Sequence, residues 1–193
     1  MEYTTLANGV QMPMLGYGVF QIGNAETEEC VAQALHAGYR LIDTAQSYGN
    51  EGGVGAAIAK SGVPREELFV VSKVWVSNYR YEDARRSIDE SLARLGLECL
   101  DLMLLHQCYY DVYGAWRALE EAYARLECPV ISNNSANRWT PDVPMVVPEI
   151  NPQHLEVIPA QRQRLGTKRG FIAVKSNCSL QSSVPALHPL KDE

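Results

Sequence analysis

Apolar positions along this chain follow two alternating rhythms. In "YRLID", "ELFVVSKVW" and "CLDLMLLHQ" they form short, nearly unbroken runs, the pattern of strands covered on both faces. Between those runs they recur at every third or fourth position. Val31, Ala34 and Leu35 make one such stripe. Asn24 stands as its N-cap, Glu26, Glu28 and Glu29 follow where the helix dipole favours acids, and Gly38 is placed to end the helix. Ala84, Ile88, Leu92 and Leu95 make another, closed by Gly96. A third, over residues 112–126, carries Ala115, Trp116, Leu119, Ala122, Tyr123 and Leu126, and the alanine-rich Glu51–Lys60 also reads as a helix. Ahead of all these, "YTTLANGVQM" reads as a hairpin about a two-residue Asn8-Gly9 turn, and "MLGYGVF" as a short strand ending at Gly16 or Gly18. Residues 15–126 therefore alternate strand and helix four times. That predicts right-handed βαβ units and an α/β fold with a parallel sheet. An open doubly wound sheet and a (β/α) barrel both satisfy the pattern.

After residue 128 the rhythm breaks. Eight of the ten prolines fall in residues 129–193, and "TPDVPMVVPEINPQ" meets one every three or four positions, which forbids a helix interior there. Only the strand-like scraps "PVIS", "HLEVI" and "GFIAV" stand out, so an irregular tail is expected.

Composition narrows the function classes. The chain has 193 residues, is 46% hydrophobic and carries a formal net charge of −6. It is long enough for a real core, and no Lys/Arg run exists to track a phosphate backbone, so no nucleic-acid partner is expected. No apolar stretch approaches a membrane span, and "MEYTTLANG" has no secretory signal pattern, so neither a membrane nor export is expected. Cys30, Cys99, Cys108, Cys128 and Cys178 are scattered and odd in number, with no C-x-x-C. Such usage predicts no disulfide framework, no metal site and a reducing cytoplasm.

Chemistry gathers at the strand ends. Asp43 ends "YRLID", Lys73 ends "LFVVSK" and His106 ends "LDLMLLH". In a parallel sheet those ends emerge on one side, and Tyr48 reaches the same side from the loop after Asp43. One such residue alone would simply be where the chain meets water, but four proton-handling groups at successive ends form a sensible set. A free tyrosine is protonated at neutral pH and is a sluggish acid. A neighbouring ammonium stabilises its phenolate, and a carboxylate keeps that ammonium charged and in place. Such a device protonates an oxygen that gains negative charge, as a carbonyl does on receiving hydride. No side chain supplies hydride, so a cofactor is implied. A decoy lies nearby: "GNEGGVGAAI" contains Gly53-x-Gly55 but follows a loop, and Ile58 stands where a dinucleotide fingerprint needs Gly or Ala. Those glycines read as a loop leading into a helix.

At these residues the sequence resembles the aldo-keto reductase family. "GYRLIDTAQSYGNE", "VPREELFVVSKVW", "RLGLECLDLMLLHQ" and "DVYGAWRALEEAY" are similar to its signatures in order and separation, and "LANGVQMPMLGYGVF" resembles its opening hairpin and first strand. The likeness covers residues 4–126 and is closest to bacterial members acting on small aldehydes, ketones or keto sugars. It implies a (β/α)8 TIM-barrel fold and NADPH-dependent carbonyl reduction, with NADH as the alternative cofactor. It makes Tyr48 the general acid, with Lys73 and Asp43 tuning it and His106 orienting the carbonyl. Phe20 and Trp75 match substrate-pocket positions, although the residues alone read equally as packing. In the tail, Ser132 and Asn133 resemble the pair that holds the nicotinamide amide, and Gln153 the glutamine that contacts the ring. Lys175 and Ser176 resemble the late Lys-Ser that grips the adenosine phosphate. Asp43 also borders the cofactor in the family.

The resemblance weakens past Leu126. A turn rich in lysine and glycine is missing, "VVPEINPQHLEVIP" resembles the next strand only with two insertions, and the family's His-Pro becomes Ile158-Pro159. Four to five βα units plus a divergent 127–193 predict one incomplete barrel domain, a truncated member that is monomeric or completes its sheet with a partner chain. Two rival expectations follow: a non-catalytic remnant or interaction module, and an open flavodoxin-like sheet binding another ligand.

Overall fold

The computed structural model describes residues 1–6 and 8–176, together with Pro185 and His188. The chain divides into two compact units, Met1–Ala115 and Trp116–Glu193.

The first unit opens with a hairpin of β1 (Tyr3–Thr5) and β2 (Gln11–Pro13). Its connection is longer than a two-residue turn. Leu6 N donates to Val10 O and Gly9 N to Leu6 O, with Gly9 at φ +84°. A left-handed glycine closing a longer loop adds one residue and keeps the register Tyr3↔Pro13. Four βα units follow: β3 (Gly16–Gly18) and α1 (Asn24–His36); β4 (Leu41–Asp43) and α2 (Glu51–Lys60); β5 (Phe69–Val74) and α3 (Tyr81–Leu95); β6 (Leu102–Leu105) and α4 (Val112–Arg125), which belongs to the second unit from Trp116 onward. The strands are parallel and lie in the order β3-β4-β5-β6. A doubly wound sheet reverses its strand order at a switch point, whereas a barrel wall adds strands in sequence. The observed order is the barrel's.

Both faces of this sheet are covered, which is why its strands read as unbroken apolar runs. On one face Ile42 and Val70 join Val31, Leu35, Val54, Ile58 and Leu95 from the helices. On the other, Leu41, Phe69 and Val71 pack with Leu102 and with Leu6 and Met12 of the hairpin. The glycines of "GGVG" lie inside α2, not in a loop. A Cβ at Gly55 would stand 2.3 Å from Leu95 O, and one at Gly53 would stand 2.9 Å from Thr27 Cβ. They let α2 approach α3 and α1. Asn24 proves to be the first helical residue. Gly23, at φ −63° and ψ 148°, takes the extended cap backbone one position earlier, and Thr27 Oγ1 donates to Gly23 O. Glu28 lies beyond the first turn and pairs with Lys60 at 2.5 Å.

The second unit is more ordered than its prolines suggest. β7 (Pro129–Ser132), β8 (Met145–Val146) and β9 (Phe171–Lys175) form a parallel sheet in the order β7-β9-β8. "PVIS" and "GFIAV" are strands as expected, but "HLEVI" lies in a 3-10 segment, Pro152–Val157, leading into α5 (Ile158–Leu165). Pro159 sits in the first turn of α5, where its missing N–H costs nothing. Buried Gln161 locks α5 to β9: Oε1 accepts from Ile172 N, while Nε2 donates to Ile172 O and Asp142 O. The core around them is Ala124, Val143, Leu165, Ile172 and Val174. Among the described residues no helix is long and apolar enough to cross a membrane. No cluster of three His, Cys, Asp or Glu among them is placed to hold a metal. Cys30, Cys99, Cys108 and Cys128 are free thiols, and Cys178 lies outside the described residues.

Candidate active site

Strand register brings the ionisable residues together. Asp43 is level with Val71, and Lys73 with Leu104. Side chains alternate along a strand, so Lys73 shares a face with Phe69 and Val71, and Asp43 with Leu41. That face is the one holding the Leu41–Phe69–Val71 cluster. His106 continues the parity of Leu102 and Leu104, and its N–H donates to Val74 O, extending the ladder. Leu41, Phe69, Val71 and Leu102 therefore share this face with a polar layer at the C-terminal ends of β4, β5 and β6.

In that layer Lys73 is the hub. Its Nζ lies 2.6 Å from Asp43 Oδ1, 2.9 Å from Thr44 O and 3.5 Å from Tyr48 OH. The lysine side chain is 14% exposed and Asp43 34%, so the pair is shielded enough for its charge to act on neighbours rather than dissipate in solvent. The ammonium also stands 5.1 Å from the centre of the Tyr48 ring. Tyr48 itself comes from the 3-10 turn Gln46–Tyr48, which ends at left-handed Gly49, φ +68°.

Aromatic rings wall the phenol. Phe20 tilts against Tyr48 at 5.0 Å between centroids, while His106 meets Tyr48 edge-on at 5.6 Å and Trp75 at 5.0 Å. Phe20 is 64% exposed and so does not act as core, despite its equal reading as packing. His106 Nδ1 lies 3.3 Å from Ser47 Oγ. Burial and the Lys73 charge hold the imidazole below its ordinary pKa, against a smaller opposing pull from Asp43, so it is neutral at pH 7.

Further polar residues, none of them marked by the sequence pattern, brace these groups from behind. Asn50 Nδ2 donates to Val19 O and Ile22 O, and its Oδ1 accepts from Thr44 Oγ1. Glu51, 1% exposed, accepts from Ser72 Oγ and pairs with Arg94. Tyr79, equally buried, donates to Gln107 O and accepts from Gln107 N, fixing the residue after His106. Gln46 uses its whole amide. Two of these, Gln46 and Asn50, flank Tyr48 in "TAQSYGNE", and their only sequence signal is a polar amide on either side of the candidate acid.

The tail residues lie in the second unit. Register sets Ser132 level with Val174, so Ser132, Asn133, Lys175 and Ser176 share one sheet edge, at the C-terminal ends of β7 and β9. Ser132 Oγ accepts from Asn134 N, and among the described residues the buried Ser176 Oγ has no hydrogen-bond partner. An orphaned hydroxyl beside a lysine suits an anionic or amide group of a ligand. Gln153 stands off the sheet on the 3-10 segment, exposed, lining a concavity of about 540 Å³ with Arg138, Trp139 and His154.

Comparison with known proteins identifies the family. The model of the aldo/keto reductase family matches residues 14–138. The chain is 50% identical over 119 residues to morphine 6-dehydrogenase of Pseudomonas putida, covering 60% of this chain and 40% of that protein. It is 51% identical over 120 residues to glyoxal reductase of Bacillus subtilis, covering 61% and 44%. It thus spans less than half the length of either relative. A crystal structure of an aldo/keto reductase from Brucella melitensis superposes with a TM-score of 0.61 at 28% identity, covering 97% of this chain and 69% of that one. The fold is an incomplete (β/α)8 barrel, and the chain belongs to the aldo/keto reductase family.

Proposed function

We propose that the chain reduces small aldehydes and ketones to alcohols with NADPH, using Tyr48 as the general acid. The observation that carries this is Lys73 Nζ set between Asp43 Oδ1 and Tyr48 OH. NADPH, when bound, supplies the hydride that no side chain can. Negative charge then gathers on the carbonyl oxygen, and the Tyr48 O–H bond breaks to give that oxygen its proton. The phenolate left behind is stabilised by the Lys73 ammonium, which Asp43 and Thr44 O hold in place. Neutral His106, with Nδ1 engaged by Ser47, offers Nε2–H to orient the same oxygen. Phe20 and Trp75 exclude water and flank the substrate. In the second unit, Asn133, Lys175 and Ser176 supply donors suited to the amide and phosphate groups of a dinucleotide, and the family resemblance adds Ser132 and Gln153 to them. The free thiols fit a reducing cytoplasm.

Loss of NADPH absorbance with a panel of aldehydes and ketones tests the proposal. Turnover is expected, and Tyr48→Phe should lower it by ~10²–10⁴-fold, the usual worth of a positioned general acid. No turnover with any carbonyl, or full turnover in Tyr48→Phe, overturns it. One observation favours a second reading, a non-catalytic family member: β9 lies between β7 and β8, so the second sheet breaks the sequential strand order of a barrel. NADPH fluorescence separates the two. Binding with turnover removes the non-catalytic reading, and no binding at millimolar NADPH removes the reductase.

A further inference from the structure

Gln46 stands two residues before the phenol and is only partly exposed. A primary amide has two acceptor lone pairs and two N–H donors. All four are engaged. Oε1 accepts from Trp75 N at 2.9 Å and from Asn78 Nδ2 at 3.0 Å. Nε2 donates to Ser87 O at 3.0 Å and to Ser91 Oγ at 3.1 Å. The partners come from the end of β5, the 3-10 turn Val76–Asn78 and α3, between 29 and 45 positions away. A single side chain therefore ties three elements to the turn that bears Tyr48.

What it ties is the working part of the site. Behind Tyr48, Asn50 anchors the same turn to Val19 O and Ile22 O. Between these anchors the phenol reaches Lys73 at 3.5 Å, the long limit of a hydrogen bond. A drift of a few tenths of an ångström breaks that link. On its other side Gln46 holds the backbone of Trp75, whose ring meets His106 at 5.0 Å. Resting on the reductase reading, we infer that Gln46 is a positioning residue. Its amide sets the reach of the Tyr48 proton donor and the stance of the Trp75 wall together, while touching neither Lys73 nor substrate.

Steady-state kinetics and amide hydrogen exchange on the full chain test this. Gln46→Ala is expected to lower kcat by ~10- to 100-fold, the cost of misplacing a reacting group by up to an ångström, with KM changed less than threefold. A residue that only stabilised the fold would shift melting and leave kcat alone at low temperature. The Trp75 amide should exchange at least tenfold faster in Gln46→Ala, because its acceptor is gone. Gln46→Glu keeps an acceptor for Trp75 N but turns oxygen toward Ser87 O. It should restore Trp75 protection and part of kcat. A folded Gln46→Ala with kcat within twofold of wild type, or with Trp75 protected as in wild type, overturns the inference. Should Gln46→Ala not fold, Gln46→Glu decides, and unprotected Trp75 there overturns it. If the wild type turns over no carbonyl, the reductase reading fails by itself, and Trp75 exchange still judges the role of Gln46.

Discussion

Glu51→Ala offers the sharpest test of how the site is supported. The carboxylate is 1% exposed and directly follows the Tyr48–Asn50 segment. It accepts from Ser72 Oγ at 2.6 Å and from Arg94 Nε and Nη2 at 2.8 and 2.6 Å. Breaking a buried ion pair by deleting one partner costs ~3–5 kcal/mol, mostly the penalty of the charge left behind. Here the survivor is Arg94, whose side chain is 44% exposed and can turn to water. The loss should therefore sit at the low end, about 3 kcal/mol. For a chain of this size ~1 kcal/mol moves Tm by ~2–4 °C, which predicts a drop of about 6–12 °C. Arg94→Ala strands the carboxylate instead and should cost more, about 4 kcal/mol. The double variant should cost far less than the sum, since neither charge remains unpaired. Thermal unfolding followed by circular dichroism measures all three. Two results would refute the reasoning: Glu51→Ala melting within 2 °C of wild type, or additive losses in the double variant.

Three further outcomes follow from the geometry. Because His106 is held below its ordinary pKa, stability from its neutral state is complete above pH 6.5 and falls as pH drops through the folded value. NMR titration should show the imidazole pKa rising in Lys73→Met, and an unchanged value there would contradict the assigned cause. Glu127 accepts from the N–H groups of Arg169, Gly170 and Lys168, in falling order of effect, which pulls its carboxyl from 4.5 to about 2. Its contribution should be complete above pH 4.5 and vanish only toward pH 2, and Glu127→Ala should speed exchange of those three amides at pH 5. Gly55→Val should cost ~1–3 kcal/mol by forcing α2 from α3, whereas Gly52→Ala, which meets only Asn24 Oδ1 at 4.0 Å, should melt near wild type.

The half of the fold that could be read from the chain is the half whose periodicity is physical. Strands buried on both faces leave unbroken apolar runs, and α3 is amphipathic enough to show its stripe and its end at Leu95. The four candidate residues, Asp43, Tyr48, Lys73 and His106, could be found because parallel strands emerge together, so position along each strand stands for position in space. What stayed hidden depends on partners far along the chain. Glu51 looks like an ordinary first-turn acid until Arg94 is placed beside it. The α5 helix buries Gln161 and Leu165 instead of an apolar stripe, and "HLEVI" has strand composition but winds into a 3-10 segment under the prolines at 152 and 159. Gly53 and Gly55 were misplaced into a loop because glycine marks close approach as readily as a turn.

The strand order of the second sheet bears on synthesis. In the first unit each new strand finds its neighbour already made, so pairing can keep pace with the emerging chain. In the second, β9 is the last of three strands to be made and the middle one in space. Among the described strands β7 and β8 pair only with β9, which is complete once Lys175 has been added, some forty residues after Ser132, or roughly two to eight seconds at ~5–20 residues per second. Until then the apolar residues that β9 will cover stand open to water. The vulnerable interval in the life of this protein therefore falls between the birth of β7 and that of β9.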